Sequence, residues 1–174
     1  DKIHYGRRPT GFYIPRFRNV TEKGTTGYLR GFGYQGGGMR RSWTRFIEGF
    51  GAEFKKELTS FGPWSISMGG FGETLPYSDN RLTLSKDKTD KWGLPLVVAD
   101  ADFRENEMQM RKDMANDAGE MLESLGIKNV GTFNSRPWMG RGIHEMGTAR
   151  MGSSPKESVL NKWNQVWGAQ NVFC

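Results

Sequence analysis

Between residues 106 and 125 apolar side chains return every third or fourth position. Met110, Met114, Ala118, Met121 and Leu125 form one line, and Met108, Ala115 and Leu122 widen it. This spacing predicts an amphipathic helix about 30 Å long, whose stripe has to be laid on another element. Asn106 is placed to cap its first turn, with Gln109 returning a capping-box bond. Gly126 is placed to stop it in the left-handed conformation. The methionines read as packing groups rather than metal ligands, because thioethers fill irregular core space.

What such a helix covers is sought upstream, where short aromatic runs alternate with turn formers. Most of the 24 glycines fall before residue 73. Gly11-Phe12-Tyr13-Ile14-Pro15 and Tyr28-Leu29-Arg30-Gly31-Phe32-Gly33-Tyr34 suit short strands, since Gly and Pro are poor helix residues and aromatics pack well on a pleated surface. Trp64, Ile66 and Met68 share one parity against Ser65 and Ser67, so residues 61–71 predict a further strand. Leu82 and Leu84 repeat the alternation, residues 86–91 turn the chain, and residues 94–99 form a neighbouring strand with Pro95 near its start or on an edge. Phe46, Phe50 and Phe54 allow a helix within residues 42–58, which Gly49 and Gly51 weaken. The expected fold class is therefore α+β, mainly antiparallel or mixed sheet packed by helices. Val159-Leu160 and Val166-Trp167 flank a turn at residues 161–164, and Val172-Phe173-Cys174 reads as a buried strand interrupted in mid-course.

A chain of 174 residues suffices for one cored domain, yet Asp1 is not an initiator Met and the last strand is cut short, so a portion of a longer protein is expected. Cys174 is the single cysteine, which rules out an internal disulfide framework. No run of 18 apolar residues exists and no hydrophobic signal core opens the chain; the cellular compartment stays open. The formal net charge of +6 permits attraction to nucleic acid, anionic lipid or an acidic substrate without choosing among them. Its densest part, residues 39–46 with Lys55-Lys56, is interrupted by Glu48, Glu53 and Glu57 and equally suits a solvated face.

Chemistry concentrates in Gly142-Ile143-His144-Glu145-Met146-Gly147-Thr148-Ala149-Arg150-Met151-Gly152. Imidazole is the side chain that titrates nearest neutrality, and the glycines let main chain pass close to a bulky partner. That pairing points to a base beside a cofactor, against the alternative of a hydrogen-bonded structural histidine. Glu145 gains no role from adjacency. Thr148 suits a local turn, and Arg150 an anchor for a carboxylate or a surface loop. Trp138 and Met139 either line a substrate site or pack. His4 and His144 are the only histidines and Cys174 lies far from both, so no metal site is expected.

From His144 onward, His-Glu-Met-Gly-Thr-Ala-Arg-Met-Gly, then Val159-Leu160 and Val166-Trp167-Gly168-Ala169-Gln170-Asn171-Val172-Phe173, closely resemble the carboxy-terminal portion of the glucose-methanol-choline (GMC) flavoprotein oxidoreductases. Leu75-Pro76-Tyr77-Ser78-Asp79-Asn80-Arg81-Leu82-Thr83-Leu84 and Asp90-Lys91-Trp92-Gly93-Leu94-Pro95 look like the substrate-domain sheet of their sugar and polyol dehydrogenase branch, and Tyr34-Gln35-Gly36-Gly37 fits it more weakly. The resemblance implies a substrate-binding region over residues 1–142 and, over residues 143–174, the start of the catalytic segment that returns to the FAD-binding domain. It implies FAD as cofactor of the complete parent and His144 as the acid/base residue. Gly147, Thr148 and Asn171 then lie near the flavin, and Trp138 and Met139 near the substrate.

Two departures qualify that likeness. Gly31-Phe32-Gly33-Tyr34-Gln35-Gly36 satisfies the bare Gly-x-Gly-x-x-Gly pattern, but its surroundings do not make the strand-turn-helix that holds a dinucleotide pyrophosphate. The amino-terminal Rossmann-type unit is thus expected to be missing, as is the downstream Asn or His of the active pair. The implied partners are those two absent regions and a sugar or polyol substrate; the electron acceptor stays open, and the isolated chain is expected to be inactive. Two other classes remain as alternatives. A basic nucleic-acid-binding module would use Arg30 to Tyr34 and Arg40-Arg41-Ser42-Trp43, but it leaves the His144 run without a task, so nucleic acid is not expected as a partner. The other is a noncatalytic interaction domain.

Overall fold

In a computed structural model, the residues described are 10–21, 26–40, 48–59, 63–135, 139–140, 144 and 146–174. They form an α+β structure in two compact units, one comprising Asp1–Leu75 and Phe103–Ser135, the other Pro76–Asp102 and Arg136–Cys174.

The first unit is a three-stranded antiparallel sheet and the long helix. Strand β1 (Gly11–Ile14) pairs with β2 (Phe32–Arg40), which pairs on its other side with β3 (Trp64–Gly72). Phe32 and Tyr34 share one face of β2 and are fully buried, with Tyr28 and Met110 completing the core. Phe32 meets Tyr34 edge-on at 5.5 Å and Phe17 edge-on at 5.8 Å. Such pairs each add about 0.5–1.5 kcal/mol to area burial. Gly36 sits between the Phe12 ring and the Ser67 carbonyl, where a Cβ has no room. The pattern from Gly31 to Gly36 therefore serves close strand packing. A central antiparallel strand is no dinucleotide turn.

The long helix, α2 (Glu105–Ser124), lays its stripe on this sheet, with Met110 buried and Met114, Ala118 and Met121 packed against the core. The strand glycines and the helix methionines are complementary: a Cβ at Gly72 would stand 2.8 Å from Met110 Cε, and one at Gly70 would collide with the Met114 thioether. Missing side chains on β3 thus make the groove that flexible side chains of α2 fill. The expected stripe holds except at its end, because Leu125 lies past the helix and is exposed.

The start of α2 corrects the sequence reading. Arg104 is the N-cap, and Glu107 supplies the return bond of the capping box by accepting from the Arg104 N–H at 2.9 Å. Glu107 also accepts from the Leu75 N–H (3.1 Å), which explains how a carboxylate can be buried there. Asn106 lies inside the first turn, and its Oδ1 accepts instead from the Leu29 N–H at 2.7 Å. At the other end Gly126 has φ +74°, the Ile127 N–H reaches the Leu122 carbonyl and the Gly126 N–H that of Glu123, a Schellman stop as expected.

Polar residues of α2 that periodicity passes over clamp the chain before β2. Arg18 donates from Nε and Nη2 to the two oxygens of Asp117 (2.9 and 2.5 Å), and Tyr28 donates to Asp113 (2.5 Å). Helix α1 (Gly51–Thr59) is shorter than residues 42–58 allowed. Phe50 precedes it and is exposed, Gly51 opens it at φ +88°, and residues 42–47 lie outside the described set.

In the second unit β4 (Arg81–Thr89) and β5 (Pro95–Asp100) form an antiparallel hairpin that places Leu82 opposite Ala99 and Leu84 opposite Val97. Pro95 begins β5, where its missing N–H costs least. The turn is tighter than expected: residues 86–89 stay in β4, and Asp90 Oδ1 accepts from both Trp92 and Leu94 N–H (2.9 Å each) while Gly93 takes φ +82°. The rest of this unit is loop held by isolated bridges. Leu160, buried, bridges Met151 and Val166, and Gln165 bridges Phe173. The turn at residues 161–164 forms as expected, with Asn161 Oδ1 accepting from Trp163 and Gln165 N–H and Asn164 at φ +60°. Val172 and Phe173 are exposed, so the terminal run makes a bridge and not the buried strand its composition suggested. Among the described residues no helix is long and apolar enough to cross a membrane.

Candidate functional site

His144 lies exposed in a loop of the second unit. Three residues on, Gly147 takes φ +109°, open space surrounds the position its Cβ would occupy, and a turn follows at Thr148 and Ala149. Arg150 then fixes the end of the run. Its Nε donates to the Glu157 carbonyl at 2.6 Å, and its own carbonyl accepts from Val159 and Leu160 N–H at 3.1 Å each. Of the two uses foreseen for Arg150, the structure shows the loop anchor. A short tether thus joins the imidazole to the body around Leu160.

That body also presents Asn171. The Val172 N–H donates to the Ala169 carbonyl (3.1 Å), the Val166 N–H to the Val172 carbonyl (2.9 Å) and Gln165 Nε2 to the Gln170 carbonyl (2.7 Å). Asn171 is therefore held exposed at the tip of a tight turn. Met139 is half-buried and meets Asn80, whose Nδ2 lies 3.8 Å from its sulfur. Trp138 and Glu145, named from the sequence, lie outside the described residues. Among the described residues no hydrogen bond joins His144 to Met139, Thr148 or Asn171. Asn80 went unmarked as a contact of this segment, since nothing in its local pattern discloses a partner 59 residues away.

A separate open groove of about 590 Å³ is lined by Met151, Gly152, Ser153, Asn161, Lys162, Trp163 and Trp167. It does not include His144 and has no group suited to taking a proton. Asn161 is engaged within its own turn, and the Lys162 ammonium rests 5.0 Å above the Trp163 ring.

His144, Gly147, Thr148 and Asn171 are each exposed, and between them they offer an imidazole, a main-chain stretch without side chain, and short polar groups, chemistry that a flavin could use. A pyrophosphate asks for main-chain N–H groups at a helix N-terminus following a strand, which residues 31–36 do not offer. Among the described residues no group of three His, Cys, Asp or Glu is arranged to hold a metal ion.

The sequence is 31% identical over 160 residues to a 2-methyl-1,2-propanediol dehydrogenase of Mycolicibacterium austroafricanum, covering 84% of this chain and 28% of that protein. It is 28% identical over 132 residues to the gluconate 2-dehydrogenase flavoprotein of Pantoea cypripedii (71% and 21% covered). Over 101 residues it is 30% identical to the fructose dehydrogenase large subunit of Gluconobacter japonicus (58% and 18%). The chain thus spans little more than a quarter of the length of these relatives at most. The family model described as GMC oxidoreductase matches residues 76–174, more than half of the chain and all of the His144 run, and the chain belongs to that oxidoreductase family.

Proposed function

We propose that the protein to which this chain belongs oxidises an alcohol group of a sugar, sugar acid or polyol, with His144 taking the hydroxyl proton. Bound FAD would accept the hydride. The observation that carries the reading is an exposed imidazole tethered through Arg150 to the body that also presents Asn171. Family membership and relatives named for a diol, gluconate and fructose support the substrate class. In this reading residues 1–142 form the substrate-binding region and residues 143–174 begin the segment returning to a flavin-binding domain. Met139 and Trp138 line the alcohol side; Gly147, Thr148 and Asn171 stand at the flavin side. The dinucleotide is held outside residues 1–174, so the isolated chain gives little or no turnover.

The imidazole must arrive neutral, with one ring nitrogen accepting from the hydroxyl at about 2.6–3.2 Å. Full proton transfer ahead of oxidation would be steep. An unactivated alcohol is a far weaker acid than an imidazolium, so the proton would move strongly uphill. Removing the proton as the C–H bond breaks avoids most of that climb, because developing alkoxide character makes the carbon a better hydride donor. The chain's contribution is alignment and a base within reach of the hydroxyl.

The test is anaerobic mixing of the full-length, FAD-loaded protein with polyols, sugars and sugar acids. Bleaching of the flavin by at least one of them is the expected result. A flavin that a chemical reductant bleaches but none of these alcohols touches would contradict the reading.

A further inference from the structure

Asn80 stands one residue before β4, in a turn closed by its own N–H to the Tyr77 carbonyl (3.1 Å). Its side chain is held twice by one residue beyond the end of β5: Oδ1 accepts from the Asp102 N–H and Nδ2 donates to the Asp102 carbonyl, both at 3.0 Å. The planar amide closes the base of the hairpin as a further rung would, and two bonds to a single backbone unit fix its plane. The direction of the second Nδ2 hydrogen is then set by the hairpin. The group found there is the Met139 thioether, at 3.8 Å, and both residues are half-buried. Gly140 follows at φ +82°, and His144 lies five residues after Met139.

Resting on the function proposed above, we infer that Asn80 is a positioning residue for the alcohol site. It acts through Met139, holding that substrate-side residue to the base of the β4–β5 hairpin. Sulfur is a weak acceptor, so the contact steers more than it stabilises. The base of the hairpin thereby sets where one wall of the site stands.

The experiment uses the full-length, FAD-loaded protein with Asn80→Ala, Met139→Leu and the double variant. Met139→Leu keeps volume and removes the sulfur acceptor. Each single change is expected to raise KM for the alcohol about fivefold, with the Met139→Leu melting temperature unchanged and the double variant no worse than Asn80→Ala, since coupled residues are not additive. The Met139 methyl resonance in isotope-labelled protein should also move on Asn80→Ala. Wild-type kinetics in Met139→Leu, losses that multiply in the double variant, or an unmoved resonance would each overturn the inference. A wild-type flavin that no alcohol reduces overturns the activity and this role with it, while the resonance still reports separately on the contact.

Discussion

Full-length, FAD-loaded protein carrying His144→Ala is expected to be reduced by its alcohol at least about 100-fold more slowly, with the flavin still bound. A hundredfold is about 2.7 kcal/mol of barrier, a modest part of what a full proton transfer ahead of oxidation would cost. The loss belongs to the chemical step and not to folding, because His144 is exposed and the loop is pinned at Arg150. Added imidazole should restore part of the rate, as it would for a missing base and would not for a displaced loop. Rapid-mixing absorbance of the flavin measures both. A variant within twofold of the wild type would remove His144 from proton transfer.

The largest stability effect is expected at Tyr34. Tyr34→Ala should cost about 4 kcal/mol, the range for emptying a buried aromatic site, against about 1 kcal/mol for Tyr34→Phe. The ring is fully buried against Phe32, and its hydroxyl donates to the Met114 carbonyl at 2.7 Å, so the alanine loses both core volume and a bond to α2. Phenylalanine loses only the bond. Burial raises the Tyr34 phenol above its ordinary range, with the carboxylates of Asp117 and Asp113 pushing the same way and Arg18 opposing. Tyr28 is raised as well, by burial first and then by its bond to Asp113. An unfolded tyrosine loses its proton near pH 10 while these two keep theirs, so stability is complete below about pH 10 and falls as pH climbs beyond it. Denaturant unfolding should show that decline in the wild type and a shallower one in Tyr34→Phe.

How much of this was legible depends on the range of each interaction. The α2 stripe could be read because helix period and core contact are the same fact, and its Gly126 stop because only backbone geometry is involved. The β4–β5 pair was visible for the equivalent reason in a two-residue period. The N-cap misled because Asn106 with Gln109 and Arg104 with Glu107 share the same three-residue spacing two positions apart, and Leu29, far along the chain, claims the asparagine. Asp113 and Asp117 lie off the apolar stripe, and their partners Tyr28 and Arg18 come from about 90 residues away, where helix period says nothing of them. The His144 run was found by its composition and by family resemblance. What ties it down was not, since the Arg150 anchor and the Asn80 contact with Met139 are made in space and leave no local period.

The central claim concerns where one ring nitrogen points, and a crystal structure of the full-length protein with FAD and a bound substrate analogue measures that directly. A nitrogen of His144 is expected within about 3.2 Å of the oxygen that corresponds to the reacting hydroxyl, on the side where the carbon faces the flavin. An imidazole turned away and bonded to the protein scaffold, with another side chain at that oxygen, would contradict it.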